Sequence, residues 1–184
     1  MSNNRIGRKM ILILRHKLDK IKHTKEGYVN IDDLIKQIYE LKKNMVQNIV
    51  DSDSKNRFNL KIINNKLHIR ANQGHTSGNL DDDLMLERIL EPIDGCYHGT
   101  FEKNLHLIKK NGLSRMNRRH IHIAESDESI SGKRKSANIK IYINMEEAMK
   151  DGIKFYKSLN GVILTPGNKE GIILPKYFLN ILKI

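Results

Sequence analysis

An α+β protein in two parts is predicted by three observations. Apolar residues recur at helical spacing over residues 4 to 50, strand-type alternation follows them, and the second half interleaves short strands with brief helices. The acidic run Asp81-Asp82-Asp83, just after Gly78, marks a linker, and the composition changes beyond it. The boundary is placed near Leu90, giving parts 1–90 and 91–184.

In the first part, Ile6, Met10, Ile13 and Leu14 are spaced for a helix over residues 4 to 17, buried on one side and ending near Arg15-His16-Lys17. Cations in a last turn are an ordinary response to the helix dipole, so Arg15 and His16 signify little by themselves. Asn30 is placed to cap a second helix, with Asp32 and Asp33 in its first turn and Leu34, Ile38 and Leu41 on one face. A third helix fits Met45 to Val50. Phe58, Leu60 and Ile62 then alternate with polar residues, Asn64-Asn65 supplies a turn, and Leu67 and Ile69 resume the alternation, which reads as a hairpin. Three helices followed by a hairpin is the order of a winged-helix module that binds nucleic acid.

In the second part, strands are expected at Ile93 to His98, His120 to Ala124, Ile139 to Ile143, Gly161 to Thr165 and Gly171 to Leu174. Thr100 is positioned to cap a helix carrying Phe101, Leu105 and Ile108, closed by Gly112. Asn144 and Glu147 form a cap pair for a helix over Met145 to Lys150, which Asp151-Gly152 ends. His98-Gly99-Thr100 sits where strand meets helix, a junction whose backbone amides suit a pyrophosphate or a ribose hydroxyl.

Thirty-three Lys and Arg against 21 Asp and Glu leave a formal charge of +12, which favours a polyanionic partner such as nucleic acid. The absence of Trp argues against binding single strands mainly through base stacking. A single cysteine, Cys96, excludes an internal disulfide and fits a reducing compartment; within an apolar strand it is also a poor nucleophile. The longest apolar run, Met10 to Leu14, is far too short for a membrane span, and no signal peptide is expected.

The stretch Ile69-Arg70-Ala71-Asn72-Gln73-Gly74-His75-Thr76-Ser77 is richer than a turn requires. A turn needs Gly or Asn, whereas Arg, Gln and His add donors for an anion and a titratable ring. It reads either as half of a phosphate site or as a turn beside a strand-capping arginine. His120-Ile121-His122 places two imidazoles on one face of a strand, yet no further ligands stand at metal spacing, so no metal is expected. Ser131-Gly132-Lys133-Arg134-Lys135-Ser136 reads as a phosphate-binding loop or as solvated basic surface, and it lacks the spacing of a P-loop.

Taken in order, Leu14-Arg15-His16, the stretch from Ile69 to His75, His98-Gly99-Thr100, His120-Ile121-His122 and Ser131-Gly132-Lys133-Arg134 resemble the RNA 2′-phosphotransferase family. Further matching pieces are Gly112-Leu113 with Met116 and Arg118, Asp151-Gly152-Ile153, Ser158-Leu159-Asn160-Gly161-Val162 and Leu164-Thr165-Pro166-Gly167. The resemblance covers almost the whole chain. It implies an N-terminal winged-helix domain joined to a C-terminal ADP-ribosyltransferase-like domain with a split sheet. NAD as co-substrate and a 2′-phosphorylated RNA, spliced tRNA foremost, are the implied partners, with a monomeric protein in the cytoplasm, or the nucleus of a eukaryote.

By the same resemblance, Arg15, His16, Arg70 and Arg134 form the tetrad that grips the RNA phosphate. His98, Gly99, Thr100, Leu113, Ser114, Arg118, His120 and Ser131 fall to the NAD side, and Asn72, Gln73, His75 and Lys133 to the substrate phosphate or RNA. Thr76 stands where many relatives carry Ser, which keeps the hydroxyl.

The implied first step is attack of the RNA 2′-phosphate on the ribose carbon bearing nicotinamide, which demands placement and stabilisation of an oxocarbenium-like transition state. In the second step the neighbouring ribose hydroxyl attacks phosphorus, releasing RNA with a 2′-hydroxyl and ADP-ribose 1″,2″-cyclic phosphate. Guanidiniums suit the charge that builds on the phosphoryl oxygens, because paired hydrogen bonds fix orientation as well as charge. His16 is assigned the proton for the departing 2′-oxygen. The competing expectations are an ADP-ribosyltransferase acting on nucleic-acid terminal phosphates and a non-enzymatic winged-helix binder.

Overall fold

A computed structural model describes residues 3–129 and 136–184. The chain is α+β and divides into two compact units, Met1–Met85 and Leu86–Ile184.

The first unit opens with α1, Asn3–His16, which buries Ile6, Met10 and Leu14 along one stripe, the repeat of four expected of a helix lying on a core. A short turn of 3-10 helix, Leu18–Lys20, leads to β1, Val29–Asn30. Helix α2, Ile31–Gln37, is capped as the sequence predicts, the Asn30 side chain accepting from the Asp32 amide at 2.8 Å. It stops earlier than its apolar spacing implies. Ile38 is extended at φ −134° and ψ 96°, although Ile38 and Leu41 are both buried. The spacing reported burial, and an extended segment meets that demand as well as a helix does.

Helix α3, Val46–Asp51, precedes the hairpin of β2, Phe58–Ile63, and β3, Lys66–Ala71. Asn64 and Asn65 turn it with φ of 49° and 58°, the left-handed pair that a two-residue hairpin loop requires. Strand β1 pairs with the other edge of β3, so the antiparallel sheet runs β1-β3-β2. A single turn, α4, Asp82–Met85, ends the unit. Ile6, Met10, Leu14, Leu18, Val29, Leu34 and Ile69 are its fully buried centre.

The second unit contains β4, Glu87–Arg88; β5, Tyr97–Thr100; α5, Glu102–Asn111; β6, Leu113–Ser114; and β7, Ile121–Ile123. There follow β8, Ile139–Ile143; α6, Met145–Lys150; β9, Tyr156–Lys157; β10, Ile163–Thr165; β11, Ile172–Ile173; and β12, Phe178–Lys183. One antiparallel sheet runs β4-β9-β10-β7, another β12-β8-β5, and β6 pairs with β11. Tyr97 and Ala124 exchange backbone hydrogen bonds of 3.0 and 2.8 Å, which stitches β5 to the end of β7. Ile123, Ile141, Phe155, Ile163 and Ile173 fill the core beneath.

Three local expectations change here. The strand expected over Ile93 to His98 begins only at Tyr97, because Asp94-Gly95 turns the chain first. Thr100 does not cap α5. It belongs to β5, drawn into the sheet by its pairing with Ile139, and the Glu102 amide is met instead by the Asn138 side chain at 3.0 Å. Strand β12 was not anticipated, and it covers the edge of β8 from Ile139 to Ile143. For α6, Asn144 accepts from the Glu147 amide at 3.1 Å as expected, while its own amide donates to the Tyr177 carbonyl.

Candidate functional site

In the first unit the last turn of α1 and the loop after β3 are laced together. The Thr76 amide donates to the Arg15 carbonyl at 2.8 Å, the Leu18 amide to the Ser77 hydroxyl at 3.0 Å, and the Gly78 amide to an Asp19 carboxylate oxygen at 2.7 Å. The first of these bonds supplies a partner for a carbonyl that the helix end leaves over. It also fixes what the helix presents. His16 Nδ1 pairs with the Thr76 hydroxyl at 2.9 Å, with His16 itself exposed. Gly74, at φ +88°, lies under Arg15, where a Cβ would come within 3.1 Å of both Cζ and Nε. The glycine therefore serves two ends, a left-handed backbone and a bare surface for the guanidinium.

Arg70 stands on β3 opposite Asn59 and is only 5% exposed. Its guanidinium carbon sits 4.8 Å from the centre of the Tyr28 ring, and Nη1 donates to the Glu26 carbonyl at 3.1 Å. The Tyr28 hydroxyl in turn donates to the Asn59 side chain. Among the described residues the buried Nε of Arg70 has no hydrogen-bond partner, a costly state for a charged donor unless a ligand completes it.

Asn72, Gln73 and His75 are all buried, so none offers its side chain to bulk solvent. Asn72 donates from Nδ2 to the carbonyls of Asn56, at 2.6 Å, and Phe58, at 3.2 Å. Together with the Asn72 amide bond to the Arg57 carbonyl, these tie the loop to the start of the hairpin. His75 packs against Gly27, whose φ is +84°.

In the second unit, His98 on β5 places Nδ1 2.8 Å from the carbonyl of His122 on β7. A carbonyl only accepts, so Nδ1 carries a proton and donates, and this bond fixes the plane of the ring. Gly99 follows it in the strand, and Thr100 is buried with its hydroxyl 3.5 Å from Asn104 Nδ2. His120 is buried with its ring edge-on to Tyr156, and Tyr156 carries the Arg88 guanidinium over its face at 5.2 Å. Leu113 is a core residue of β6, while the Ser114 hydroxyl accepts from the Met116 amide at 3.0 Å. Arg118 is exposed, and its carbonyl accepts from Arg115 Nη1 at 2.7 Å. Ser131, Lys133 and Arg134 lie outside the described residues.

Within each unit the structure thus gathers Arg15 and His16 around Gly74 and Thr76, seats Arg70 on Tyr28, and ties His98 to β7. It leaves Arg118 on an exposed turn. Sequence reasoning missed the supporting aromatics, Tyr28 and Tyr156, because neither belongs to any local motif. It also missed a cluster on the β5 and β8 face. There Lys140, nine-tenths buried, pairs with Asp127 at 2.6 Å and lies 4.8 Å over the Tyr97 ring. Tyr97 donates to Asp127 at 2.7 Å, and burial followed by that carboxylate pushes its hydroxyl up to about 12. Cys96 is fully buried and burial pushes its thiol up to about 11, so it is no thiolate near neutrality. Among the described residues no group of three or more His, Cys, Asp or Glu is arranged to hold a metal, and no helix is long and apolar enough to cross a membrane.

Residues 1–167 match the family described as RNA 2′-phosphotransferase, Tpt1 / KptA family. The chain is 38% identical over 189 residues to the tRNA 2′-phosphotransferase 1 of Danio rerio, covering 95% of this chain and 83% of that one. It is 40% identical to the Homo sapiens protein of the same name, over 86% of this chain and 66% of that one. A probable RNA 2′-phosphotransferase of Fusobacterium nucleatum is 34% identical, over 88% of this chain and 92% of its own length. By contrast, the chain spans 47% of the length of the putative tRNA 2′-phosphotransferase of Schizosaccharomyces pombe.

Proposed function

The chain belongs to the RNA 2′-phosphotransferase, Tpt1 / KptA family, and from that membership we propose that it removes a 2′-phosphate from RNA, tRNA in particular, and transfers it to ADP-ribose drawn from NAD. The products are RNA with a 2′-hydroxyl, nicotinamide and ADP-ribose 1″,2″-cyclic phosphate. Relatives named for tRNA support the RNA half of this reading. The NAD half follows from the motif resemblance and the chemistry of the second unit's donors.

The observation that carries the proposal is the lacing of α1 to the 72–78 loop, which sets a guanidinium and an imidazole side by side on rigid backbone. Arg15 and Arg70, with Arg134, bind the phosphate and take up the charge that develops on its oxygens. Arg70 fits this role because its buried Nε gains from an incoming oxyanion. His16 passes a proton to the departing 2′-oxygen, with Thr76 holding Nδ1 so that the far side of the ring faces the substrate. Asn72 and His75 act as positioning residues, keeping the loop seated on the hairpin and on the 24–27 turn.

His98 suits a nucleoside partner because its ring is oriented through Nδ1 by the His122 carbonyl and stands where β5 leads into α5, the stretch that the motif resemblance assigns to NAD. Bound NAD supplies the ribose carbon that takes the phosphate and a neutral leaving group. The helix and hairpin order of the first unit and the small antiparallel sheets of the second support a winged-helix lobe and an ADP-ribosyltransferase-like lobe.

The deciding experiment mixes the protein with a short RNA bearing one internal 2′-phosphate, with and without NAD. The expected result is NAD-dependent loss of the phosphate from the RNA, matched by nicotinamide release. Phosphate loss without NAD removes the cofactor assignment, and ADP-ribose left attached to the RNA identifies an ADP-ribosyltransferase instead.

A further inference from the structure

Strand β3 carries Lys66, His68 and Arg70 on one face, since alternate residues of a strand point the same way. Successive members of this row are about 6.7 Å apart along the strand. On the neighbouring strand Lys61 faces His68, and it shares the Tyr28 ring with Arg70, at 5.3 and 4.8 Å. Beside this row opens a cleft of about 260 Å³ lined by Lys22, His23, Tyr28, Lys66 and His68, among others. One of its walls, Tyr28, is the ring over which Arg70 lies.

The charge in the cleft is one-sided. Its one carboxylate, Asp33, is engaged by Lys36 at 2.8 Å and held below the usual carboxylate range, by that hydrogen bond first and with Lys22 and Lys66 adding to the effect. Among the described residues neither Lys22 nor Lys66 forms an ion pair, and both are exposed. The two imidazoles are oriented by backbone. His23 Nδ1 donates to the Ile21 carbonyl and His68 Nδ1 to the Lys66 carbonyl, each at 2.9 Å, so both rings are fixed by their Nδ1 side. No large aromatic face is exposed there for base stacking, because Tyr28 is buried.

We propose that this cleft holds backbone phosphates of the RNA strand that flanks the 2′-phosphate, with Lys22 and Lys66 as its principal contacts. Recognition there is of charge and spacing and carries no base sequence. The proposal rests on the RNA substrate assigned above, and it explains why a basic row continues beyond Arg70, away from the reacting group.

The test measures binding of a short single-stranded RNA without any 2′-phosphate, and without NAD, across a salt series. For the Lys22→Ala/Lys66→Ala variant the slope of log K against log salt is expected to become shallower by about 1.4, two phosphates at about 0.7 each. Binding weakens by about an order of magnitude at low salt. Turnover of a 2′-phosphorylated dinucleotide stays at the parent level, while KM for a longer 2′-phosphorylated RNA rises. A Lys109→Ala/Lys110→Ala variant loses the same charge from α5 and keeps the parent slope. An unchanged slope in the first variant, or an equal change in both, overturns the proposal; so does loss of dinucleotide turnover in the first. If the parent protein turns over neither RNA while the slopes still differ, the transferase reading fails and the phosphate cleft stands.

Discussion

Arg15 rests on the bare backbone of Gly74. A Cβ at that glycine would stand 3.1 Å from the guanidinium carbon, and its φ of +88° already disfavours any side chain. Gly74→Ala therefore strains the loop by about 1–2 kcal/mol and pushes Arg15 aside. Turnover is expected to fall at least about tenfold, with a modest drop in melting temperature. Steady-state kinetics and thermal melts on one preparation check both, and parent-level turnover contradicts the role given to this contact.

His16 and Arg70 are separated by the same test of chemistry against folding. His16→Ala and Arg70→Ala should each lower turnover by about a hundredfold or more. His16 is exposed, so its removal leaves the melting temperature near the parent value. Arg70→Ala empties a buried site against Tyr28, so its circular dichroism must be matched to the parent before the rate is read. Near-normal 2′-phosphate release by both folded variants contradicts the assignment.

Helix α5 is capped by a residue 36 positions beyond its first. The Asn138 side chain accepts from the Glu102 amide at 3.0 Å, and the Asn138 amide donates to the Thr100 carbonyl at 3.1 Å. Asn138→Ala is expected to destabilise the protein by about 1 kcal/mol, whereas Thr100→Val leaves the helix cap intact. Denaturant melts of the two variants distinguish them.

Acid sensitivity has a local origin in the first unit. Burial alone would raise Asp53, but hydrogen bonds from the Arg57 side chain and amide outweigh it and hold the carboxyl below its ordinary value. A carboxyl lowered in the folded state contributes stability that is present above its unfolded pKa and is lost as pH falls through the folded one. The contribution is thus complete at neutral pH, begins to decline near the ordinary carboxyl value of about 4, and is lost as pH falls through the lower folded-state value. Asp53→Asn should be less stable than the parent at pH 7, with the difference shrinking towards pH 3 in urea melts. A constant difference across that range contradicts this account.

Much was legible in the sequence because it is short-ranged. The α1 stripe, the Asn30 and Asn144 caps and the Asn64-Asn65 turn are each set by residues within a few positions of one another, where backbone preference and hydrophobic spacing act directly. The succession of short motifs from Leu14-Arg15-His16 to Leu164-Thr165-Pro166-Gly167, taken in order, pointed to the family.

Contacts between distant segments decided the rest. Ile38 keeps its burial but loses its helix, Thr100 yields its cap to Asn138, and β12 covers an edge that no local pattern announced. Arg70 is a surface cation by composition and a buried one in fact, because Tyr28 and the Glu26 carbonyl meet it across the sheet. The amino-acid order thus determined which groups are present and the local elements that bear them. Only tertiary packing determined which groups lie in low dielectric with a donor left over, because that depends on neighbours remote along the chain.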